Sequence, residues 1–569
     1  MSGTSTHPDT GPRICRNPWC KQPFEVTQSD LALLDELSPA YGGRKYPIPP
    51  PLLCPDCRQQ RRLAWRNERQ LYRDTCDRCG TSIVSMYAPD SPYFVYCYDC
   101  WWGDKWDAMQ YGMDIDFTRP FLAQLQDLRL RVPRLYLFNL HSENCIYTSH
   151  SANNKNCYMG VALGKCEDCY YGHWVLESKN VVDSMYSEYC ERCYECSYCL
   201  HCFGTSFSQS CQNCRDCLFC YECKGCERCI GCVGLRQKEL HIFNQPVSAQ
   251  EYARVKEELL TSPQTFAAFT EKWRAFKRTF PHRFALQINC TNVSGDDLYN
   301  CKNVKQCFNG RDVEDSAYIY DSGKNKDSMD TYEHGWLVQS QLNYELHGGM
   351  AGYRLLFCHI CAEGRDLLYS DCCHNNSADL FGCVSLKHQR YCILNKQYTK
   401  EEYEQLVPRI IEGMQKDRTW GEFLPAALSP FAYNESVAQE YFPLTKDEII
   451  KRKWRWKALE EKAFSLKMSV IPPDIRGVTD DILRQTLACA TCGKQFKIIP
   501  QELRFYREML LPVPLSCHDC RHHRRMALRN PRHLWSRQCA KCGKGIETTY
   551  APDRPEQIYC EECYLKEVY

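Results

Sequence analysis

The central part of the chain carries a short periodic pattern of small side chains. Between Cys190 and Cys232, nearly every third position is a cysteine, serine or threonine. A three-residue period sustained over about ninety residues is too short for a zinc finger and is typical of a repeating coil with a narrow interior. It predicts a β-solenoid of about twelve residues per coil, too narrow inside for leucine. The residues twelve apart are Cys145, Cys157, Cys169, Val181, Cys193, Thr205, Cys217 and Cys229.

The periodic region occurs twice, at a constant offset of 151 residues: 230–235 returns at 381–386 and 242–244 at 393–395. In the second copy, most stacked positions carry Ser, Gly, Val, Ile or Leu instead of Cys. A metal ligand cannot be exchanged for these residues, whereas a small buried side chain can. Most central cysteines are therefore interpreted as packing residues. A thiolate metal array, iron–sulfur sites and redox-active thiols remain the alternatives.

Helical segments are predicted to follow each solenoid and cover its open end. Ser248 and Thr399 each begin an S/T-x-x-E capping box, ahead of helical runs at 248–277 and 399–415. The predicted fold is multi-domain and mainly β with short helices. Its segments are an N-terminal double zinc module (1–107), a helical cap (108–141), the first solenoid (142–245), a helical linker (246–289), the second solenoid (290–395), a helical and irregular linker (396–480) and a C-terminal double zinc module (481–569).

Composition and charge bear on whether the protein is membrane-bound, secreted or cytoplasmic. The chain has 569 residues, with 71 Lys+Arg against 70 Asp+Glu. No apolar run approaches the roughly 18 residues that a membrane span needs, so a membrane partner is not expected. Residues 1–13 are polar and lack the apolar core of a secretion signal. These features predict a cytoplasmic protein, in which the 42 cysteines stay reduced unless a metal holds them.

Closely spaced cysteine pairs, most of them CxxC, lie at both ends of the chain. Two such pairs separated by a hairpin-sized segment can bring four thiolates into a tetrahedron, the geometry of structural zinc. Redox chemistry from lone CxxC pairs is the alternative, although thioredoxin-like sites are not followed by a second pair at this spacing. We therefore predict about four structural Zn²⁺ ions. The proposed ligand sets are Cys15, Cys20, Cys54 and Cys57; Cys76, Cys79, Cys97 and Cys100; Cys489, Cys492, Cys517 and Cys520; and Cys539, Cys542, Cys560 and Cys563.

The two ends are copies of each other. Residues 54–67, CPDCRQQRRLAWRN, align without a gap with 517–530, CHDCRHHRRMALRN. With the CxxCGxxF knuckle at 489–496, this motif resembles the treble-clef "probable zinc-binding" domain. The N-terminal copy departs from that pattern, because its first knuckle is Cys15-x4-Cys20 without the glycine and its hairpin carries extra residues around 41–51.

An arginine-rich run, predicted to be helical, follows the second cysteine pair of each of these sites. Spacings of three and four place Arg58, Arg62, Arg66 and Arg69 along one stripe. Such a stripe can neutralise phosphates, while nearby aromatic residues stack on unpaired bases. Ion pairs with carboxylates of this chain or of another protein are the alternative. The proposed nucleic-acid contacts are Arg58, Arg61, Arg62, Arg66, Arg521, Arg524, Arg525 and Arg529.

Long motifs extend over nearly the whole chain: CPxCRxxRRLAxRNER, NCYxC-type repeats, GCVxLRxK, and TTYAPDRPEQIYCEECYLKEVY at 548–569. Through them the chain resembles a family of uncharacterised cysteine-rich zinc-ribbon and treble-clef proteins from small-genome candidate-phylum bacteria. The resemblance implies no activity.

The sequence favours a non-enzymatic, zinc-binding scaffold or interaction protein. It contains no Walker-type phosphate loop, no G-x-S-x-G elbow and no H-E-x-x-H motif, and its histidines are scattered. RNA or single-stranded DNA is the first candidate partner, another protein is the second, and the oligomeric state stays open. The alternative function is a thiol-rich metal-buffering or redox protein that uses Cys190–Cys232.

Overall fold

A computed structural model describes residues 10–187, 190–197, 199–458 and 471–568. Part of the predicted linker, at 459–470, and the first nine residues lie outside the described residues. The chain is mainly β and forms two compact units. The first unit contains Met1–Leu137 and Leu286–Ala458, and the second contains Phe138–Ala285 and Leu459–Tyr569. Each unit therefore combines one end of the chain with one of the two central repeats.

The N-terminal part of the first unit consists of short hairpins and helices. Its elements are β1 (Gly11–Ile14), β2 (Pro23–Val26), α1 (Gln28–Leu37), β3 (Ala40–Tyr41), β4 (Arg44–Lys45), α2 (Pro55–Leu63), β5 (Tyr72–Thr75), β6 (Ser82–Ser85), β7 (Val95–Tyr96), α3 (Tyr98–Trp102), α4 (Phe121–Arg131) and β8 (Arg134–Leu135).

The first central repeat, called the first ladder (residues 139–246), belongs to the second unit. Its elements and the two helices after it are β9 (Asn139–Leu140), β10 (Ser151–Ala152), β11 (Glu167–Tyr170), β12 (Lys179–Val182), β13 (Glu191–Tyr194), β14 (Glu227–Ile230), β15 (Glu239–Ile242), β16 (Gln245–Pro246), α5 (Ala249–Thr261) and α6 (Pro263–Arg278). The run predicted as one helix is two helices, because Ser262 caps α6 and Pro263 occupies its first turn without an N–H.

The second central repeat, called the second ladder (residues 287–397), belongs to the first unit. From β17, which belongs to the second unit, to the helices after this ladder, the elements are β17 (His282–Arg283), β18 (Gln287–Ile288), β19 (Thr291–Tyr299), β20 (Lys302–Arg311), β21 (Glu314–Gly323), β22 (Asn325–Lys326), β23 (Met329–Tyr332), β24 (Ser340–Gln341), β25 (Tyr344–His347), β26 (Gly352–Leu356), β27 (Gly364–Leu368), β28 (Ala378–Phe381), β29 (Arg390–Ile393), β30 (Lys396–Gln397), α7 (Lys400–Lys416), α8 (Ala438–Tyr441) and α9 (Lys446–Lys451).

The C-terminal part of the second unit repeats the hairpin-and-helix arrangement of the N-terminal part. Its elements are β31 (Leu487–Ala488), β32 (Gln495–Phe496), α10 (Pro500–Met509), α11 (His518–Met526), β33 (Trp535–Gln538), β34 (Gly545–Thr548), β35 (Ile558–Tyr559) and α12 (Glu561–Val568). Among the described residues, no helix combines the length and the apolar character needed to cross a membrane.

Both ladders are built from parallel pairs, most of them twelve residues apart, and each ends in one short antiparallel pair, β15 with β16 and β29 with β30. In the first ladder, Cys169 pairs with Val181, and Val181 pairs in turn with Cys193. Bridges outside the longer strands keep the same offset, as in Ile146 with Tyr158. In the second ladder, six strands (β21, β22, β24, β26, β25 and β23) pair in a closed parallel ring to which further strands are added.

Each ladder turns through left-handed backbone positions. From His141 to Phe243, every third residue that the structure describes has a positive φ, close to +50° at most non-glycine positions. This conformation costs an L-residue about 1–2 kcal/mol. Asparagine and aspartate tolerate it best, and here they also form side-chain ladders. Asn144 Nδ2 donates to Asn156 Oδ1 at 2.8 Å, and Asn303 Nδ2 to Asp315 Oδ1 at 2.8 Å.

Each inward residue follows a left-handed one, and the inward thiols and hydroxyls can donate to carbonyl oxygens of the next twelve-residue interval. The thiol of Cys166 donates to the carbonyl oxygen of Val175, nine residues later, at 3.1 Å. The hydroxyls of Ser178 and Thr205 each have two possible acceptors, the carbonyl oxygen two residues earlier at 2.7 and 3.2 Å and the one nine residues later at 3.3 and 3.4 Å. The inward position therefore selects a small side chain with a weak donor, which explains why Cys, Ser and Thr replace one another along the repeat.

The expectation that leucine cannot enter the interior is wrong. Leu163, Leu355 and Leu367 are at most 1% exposed and point inward. In each case the inward residue three positions earlier is glycine. A Cβ atom added to Gly160 would lie 2.3 Å from Leu163 Cδ1, and one added to Gly352 would lie 2.4 Å from Leu355 Cδ1. The interior of one twelve-residue interval is thus tightly packed and nearly fixed in volume, and leucine fits there where the preceding inward residue is glycine.

Replacing an inward thiol tests this fixed volume. Cys220 is fully buried, with Ser208 in the same stack one coil earlier and Cys217 at the preceding inward position. We expect Cys220→Ser to lower the free energy of unfolding by less than about 1 kcal/mol, because the hydroxyl can keep the bond to the Cys229 carbonyl. Cys220→Leu should lower it by about 1–3 kcal/mol through overpacking.

Urea unfolding of the purified protein measures both effects. The matched control is the double variant Cys217→Gly/Cys220→Leu, which recreates the natural Gly–Leu pair and should recover part of the loss. A double variant no more stable than Cys220→Leu alone would contradict the fixed-volume account.

Candidate metal centres

The structure brings the sixteen predicted cysteines together in four groups of four. In each group, a hairpin carries the first pair and the start of a helix carries the second pair. The hairpin and helix are β1–β2 with α2, β5–β6 with α3, β31–β32 with α11, and β33–β34 with α12. The groups are Cys15, Cys20, Cys54 and Cys57; Cys76, Cys79, Cys97 and Cys100; Cys489, Cys492, Cys517 and Cys520; and Cys539, Cys542, Cys560 and Cys563.

The sulfur positions fit a tetrahedral metal ion. Within each group all Sγ atoms lie within 4.8 Å of one another. The Sγ atoms of Cys20 and Cys54 are 3.7 Å apart, and those of Cys492 and Cys517 are 3.8 Å apart. A zinc–sulfur bond of about 2.3 Å gives a tetrahedron whose edge is about 3.8 Å. Each group can therefore hold one metal ion with four thiolate ligands and no open position.

The same backbone contact orders all four groups. The backbone N–H of the third cysteine donates to the sulfur of the first, at 3.3 Å from Cys54 to Cys15 and 3.2 Å from Cys517 to Cys489. The corresponding distances in the other two groups are 3.2 and 3.3 Å. The third cysteine also directly precedes its helix, where the positive end of the helix dipole favours a thiolate.

These hydrogen bonds act on the acidity of the thiols. Burial disfavours the Cys489 thiolate, but backbone N–H groups of Cys517, Cys492 and Thr491 outweigh it and lower its pKa to about 6. The pKa of Cys539 is likewise lowered to about 6, against burial, by the N–H groups of Cys560 and its own hairpin. Hydrogen bonds from Thr81 lower the pKa of Cys79 to about 6. A thiol ready to ionise near neutral pH is the form that a metal ligand requires.

The first knuckle lacks the glycine of the other three, and the structure shows what replaces it. Gly80, Gly493 and Gly543 each follow the second cysteine of their group, with φ of +72°, +73° and +75°. In the first group, Lys21 takes this position with φ of +56°. The longer Cys15-x4-Cys20 spacing therefore reaches the same sulfur geometry, but it places a lysine in a conformation that favours glycine.

In the first unit, the arginines of α2 point into carboxylates of the second ladder. Arg58 Nε and Arg62 Nη2 lie 2.7 and 3.0 Å from the two oxygens of Asp330. Arg62 Nη1 and Arg61 Nη2 lie 2.7 and 2.5 Å from Glu345. The side chain of Arg61 is 12% exposed, and the other two are at most 1% exposed. Burial disfavours the Glu345 carboxylate, but these arginines outweigh it and lower its pKa.

Arg66 is buried as well. Its guanidinium pairs with Glu68 and Glu333 and lies 5.6 Å from the centre of the Tyr332 ring.

In the second unit, α11 repeats this arrangement on the first ladder. Arg521 Nε and Arg525 Nη1 lie 2.7 and 3.0 Å from the two oxygens of Asp183. Arg524 pairs with Glu195 but keeps 49% of its side chain exposed. Arg529 is half-buried, with its guanidinium 4.8 Å from the centre of the Tyr186 ring. Of the eight arginines proposed as nucleic-acid contacts, six are thus buried or nearly buried in ion pairs with carboxylates.

Most of these carboxylates, Asp183, Glu195, Asp330 and Glu345, lie in one left-handed column of each ladder, which we call the docking column. Sequence reasoning missed it. The twelve-residue offset finds the column in the first ladder, but in the second ladder the intervals between its members are 12, 15, 12, 12, 13 and 12 residues. Its members all have positive φ. In the first ladder they are Tyr171, Asp183, Glu195, Phe207, Phe219, Gly231 and Phe243, and in the second Tyr318, Asp330, Glu345, Phe357, Tyr369, Gly382 and Leu394.

The remaining positions of the docking column receive helices and aromatic rings. The rings of Phe266 and Phe269 of α6 lie 5.1 and 5.2 Å from the ring of Phe219, so α5 and α6 pack along the side of the ladder over several rungs. A Cβ on Gly231 would lie 2.9 Å from the Phe269 ring, and one on Gly382 would lie 2.4 Å from the Phe121 ring of α4. Glycine there permits the close approach.

The central thiols are arranged differently from the four terminal groups. Among the described residues, no three of their sulfurs are brought within 4.8 Å of one another. The described cysteines from Cys190 to Cys232 are at most 1% exposed. The sequence-based interpretation of these residues as packing agrees with this burial and with their hydrogen bonds to neighbouring coils.

A fifth group of potential metal ligands lies in the first unit and forms a cluster of buried ion pairs. His359, Asp371 and Cys372 lie together and are buried. However, Asp371 Oδ2 already accepts from Arg129 and Arg134, at 2.8 and 2.7 Å, and its Oδ1 lies 2.8 Å from His359 Nδ1. Two guanidiniums on the carboxylate supply the positive charge that a metal ion would bring, so this group does not fit a cation.

No known protein family's sequence profile matches the chain. The functional argument therefore depends on the four cysteine groups and on what they hold in place.

Removing the shared carboxylate tests the docking of α2. We expect Asp330→Ala to destabilise the first unit by about 3–5 kcal/mol, because it leaves two buried guanidiniums without their anion. Asp35→Ala is the matched control, since its 69%-exposed side chain pairs with the exposed Lys45 and should contribute less than about 1 kcal/mol. Both are measured by urea unfolding at fixed zinc concentration. Equal effects of the two substitutions would contradict the docking role.

The knuckle glycine can be tested by metal affinity, with Zn²⁺ as the probe. Gly493 has open space around its Cβ direction, so Gly493→Ala adds only backbone strain of about 1 kcal/mol. We expect a roughly fivefold loss of affinity at that site in competition with a chromogenic chelator. Lys21→Ala is the control, because Lys21 already bears the strain and should show little change. Equal losses in both variants would contradict this account.

Proposed function

We propose that the protein is a non-enzymatic scaffold in which about four structural zinc ions fasten short modules to two rigid ladders. The observation that carries the proposal is the closed geometry of the four cysteine groups, in which all sulfurs lie within 4.8 Å of one another and one pair in each group is 3.7–3.8 Å apart. All four ligand positions are filled by protein thiols. A metal ion bound in this way supplies stability and leaves no position for a substrate.

Zinc is the metal that best suits these groups. Four thiolates in a tetrahedron are typical of structural zinc, which needs no redox chemistry and accepts the geometry without a ligand-field preference. The free thiols of the ladders point to a reducing compartment, and we propose the cytoplasm.

The ladders are proposed to be narrow solenoids. The twelve-residue parallel register and the inward small residue at every third position both support coils of twelve residues, with four inward positions each. Coils stacked in this way contact only their neighbours, so they give a rigid rod of defined length. A rod with metal-fastened modules is suited to present surfaces at fixed spacing.

Two functions considered from the sequence lose their support. The thiol-buffering role requires accessible or clustered thiolates, but the described central thiols are buried and their sulfurs are not grouped for a metal. The nucleic-acid role depended on the arginines of α2 and α11, most of which are committed to carboxylates of their own unit. We therefore propose that these arginines act as internal anchors and that a partner binds elsewhere.

Native mass spectrometry of the purified protein tests the proposal. We expect a mass excess of four zinc ions, and Cys542→Ser/Cys563→Ser should reduce it to three, because it removes half of one ligand set. The double variant Cys220→Ser/Cys223→Ser, within the ladder, is the control and should retain four. Iron, sulfide or a larger metal count that falls in the ladder variant would overturn the scaffold role.

Chelation supplies a second measurement. Prolonged treatment with a strong chelator should unfold the modules, with loss of near-ultraviolet dichroism, since structural zinc contributes directly to the stability of small domains. Re-addition of zinc should restore the signal. Full retention of structure after all metal has been removed would contradict a structural role.

A further inference from the structure

A long groove runs along one face of the second ladder in the first unit. Its volume is about 880 Å³. It crosses five successive rungs, marked by Gln341, Tyr353, Arg365, Ala378 and Arg390, which pair with one another in parallel. Rungs of a sheet are about 4.8 Å apart, so the groove is about 20 Å long. Its shape suits an extended ligand rather than a compact one.

The floor of the groove is mainly backbone. Ser340 and Ser377 are buried and point inward, and a Cβ on Gly352 or Gly364 would meet an inward leucine. The side chains of the five rung residues line one side of the floor. On the other side stand the left-handed residues Ala351, Glu363, Asn376 and His388. A ligand in the groove would therefore contact two regularly spaced rows of side chains.

The charges of the groove balance. Arg365 Nε lies 3.2 Å from Asp366, and Arg390 Nε lies 3.1 Å from Asp379. Arg354 also pairs with Asp366, at 3.1 Å, and the exposed Glu363 adds a third carboxylate. Glu363, Arg365 and Arg390 line the groove, and with the ion-pair partners Asp366, Asp379 and Arg354 beside it the local charge is three guanidiniums to three carboxylates. A polyphosphate chain gains its affinity from an excess of positive charge, which this groove does not offer.

Exposed apolar side chains are few and lie towards the Gln341 end of the groove. Val338 is 51% exposed and Tyr353 is 39% exposed, and the other exposed lining residues are polar or charged. A protein partner is normally anchored by an apolar core of several side chains. One ring and one valine do not make such a core, so a folded protein fits this surface poorly.

The groove carries hydrogen-bond donors, hydrogen-bond acceptors and groups that do both. The arginines can only donate, Glu363 can only accept, and the amides of Gln339, Asn376 and Gln389 do both. A ligand that matches them must carry groups that both donate and accept along its length, without net charge. Hydroxyl groups do so, and Tyr353 offers a flat ring on which the apolar face of a sugar can stack.

We propose that this groove binds an extended, uncharged oligosaccharide. The ring of Tyr353 stacks on one sugar residue, while Arg365, Arg390 and the amides bond hydroxyl groups along the chain. The proposed role is binding without catalysis, and the regular rungs of the ladder set the distances between the binding side chains.

Isothermal titration of the zinc-loaded full chain tests the proposal with six neutral linear hexasaccharides: cellohexaose, laminarihexaose, xylohexaose, mannohexaose, maltohexaose and chitohexaose. We expect at least one to bind. Tyr353→Ala should weaken that binding at least tenfold, and Arg365→Ala/Arg390→Ala should weaken it comparably. Tyr98→Ala is the matched control, because Tyr98 is also 39% exposed and lies outside the groove.

The outcomes separate the ligand classes. Binding that is lost in Tyr353→Ala and kept in Tyr98→Ala supports the proposal. Failure of all six sugars to bind, or binding that Tyr353→Ala leaves unchanged, overturns it. Binding of polyuridylate or of an acidic peptide that depends on Arg365 and Arg390, in place of sugar binding, also overturns it. Zinc counted in each variant shows that the fold is intact, so this result is independent of the metal sites.

Discussion

The structure depends on a three-residue step in which one residue adopts a left-handed conformation and the next points inward. Four such steps make the twelve residues of one register interval, and the interior they enclose has a nearly fixed volume. The conformation is unfavourable for most residues, and hydrogen bonds between neighbouring intervals have to offset it. Asparagine ladders such as Asn144 with Asn156 do so outside, and thiol–carbonyl bonds such as Cys166 with Val175 do so inside. The abundance of cysteine follows from this geometry rather than from redox chemistry.

The left-handed positions also decide what the ladders can hold. Side chains at these positions point outward in straight columns, so a row of acids and aromatic rings along one column becomes a docking surface. In both units, two arginines of a cysteine-capped helix share one aspartate of that column, Asp330 or Asp183. A buried charge is costly unless it is paired and hydrogen-bonded, and the shared carboxylate meets that requirement. The four-cysteine group at the start of the helix then fixes the direction in which the arginines point.

The two units follow the same plan although each is assembled from distant segments. The N-terminal module packs on the second ladder, and the C-terminal module packs on the first. The arrangement Tyr–Asp–Glu–aromatic–aromatic–Gly recurs in both docking columns, and the arginines above them correspond one to one. Glycine at the sixth position, Gly382 or Gly231, admits a phenylalanine from a neighbouring helix in each unit. In each unit, the arginines of the module therefore pair with the same kind of ladder surface.

The sequence by itself determined the local features, because each depends on residues that are near in the chain. The CxxC spacing predicted which cysteines come together, and the period of three predicted the twelve-residue register and the inward small side chains. Tertiary structure decided the role of the arginines. A stripe of arginines at helical spacing has the same sequence whether it faces phosphates or carboxylates. Only the packing of the chain showed that Arg58 and Arg62 contact Asp330, which lies 272 and 268 residues away. It likewise decided that leucine fits beside glycine and that Lys21 can stand where glycine was expected, since both depend on a volume or a backbone angle that spacing does not encode.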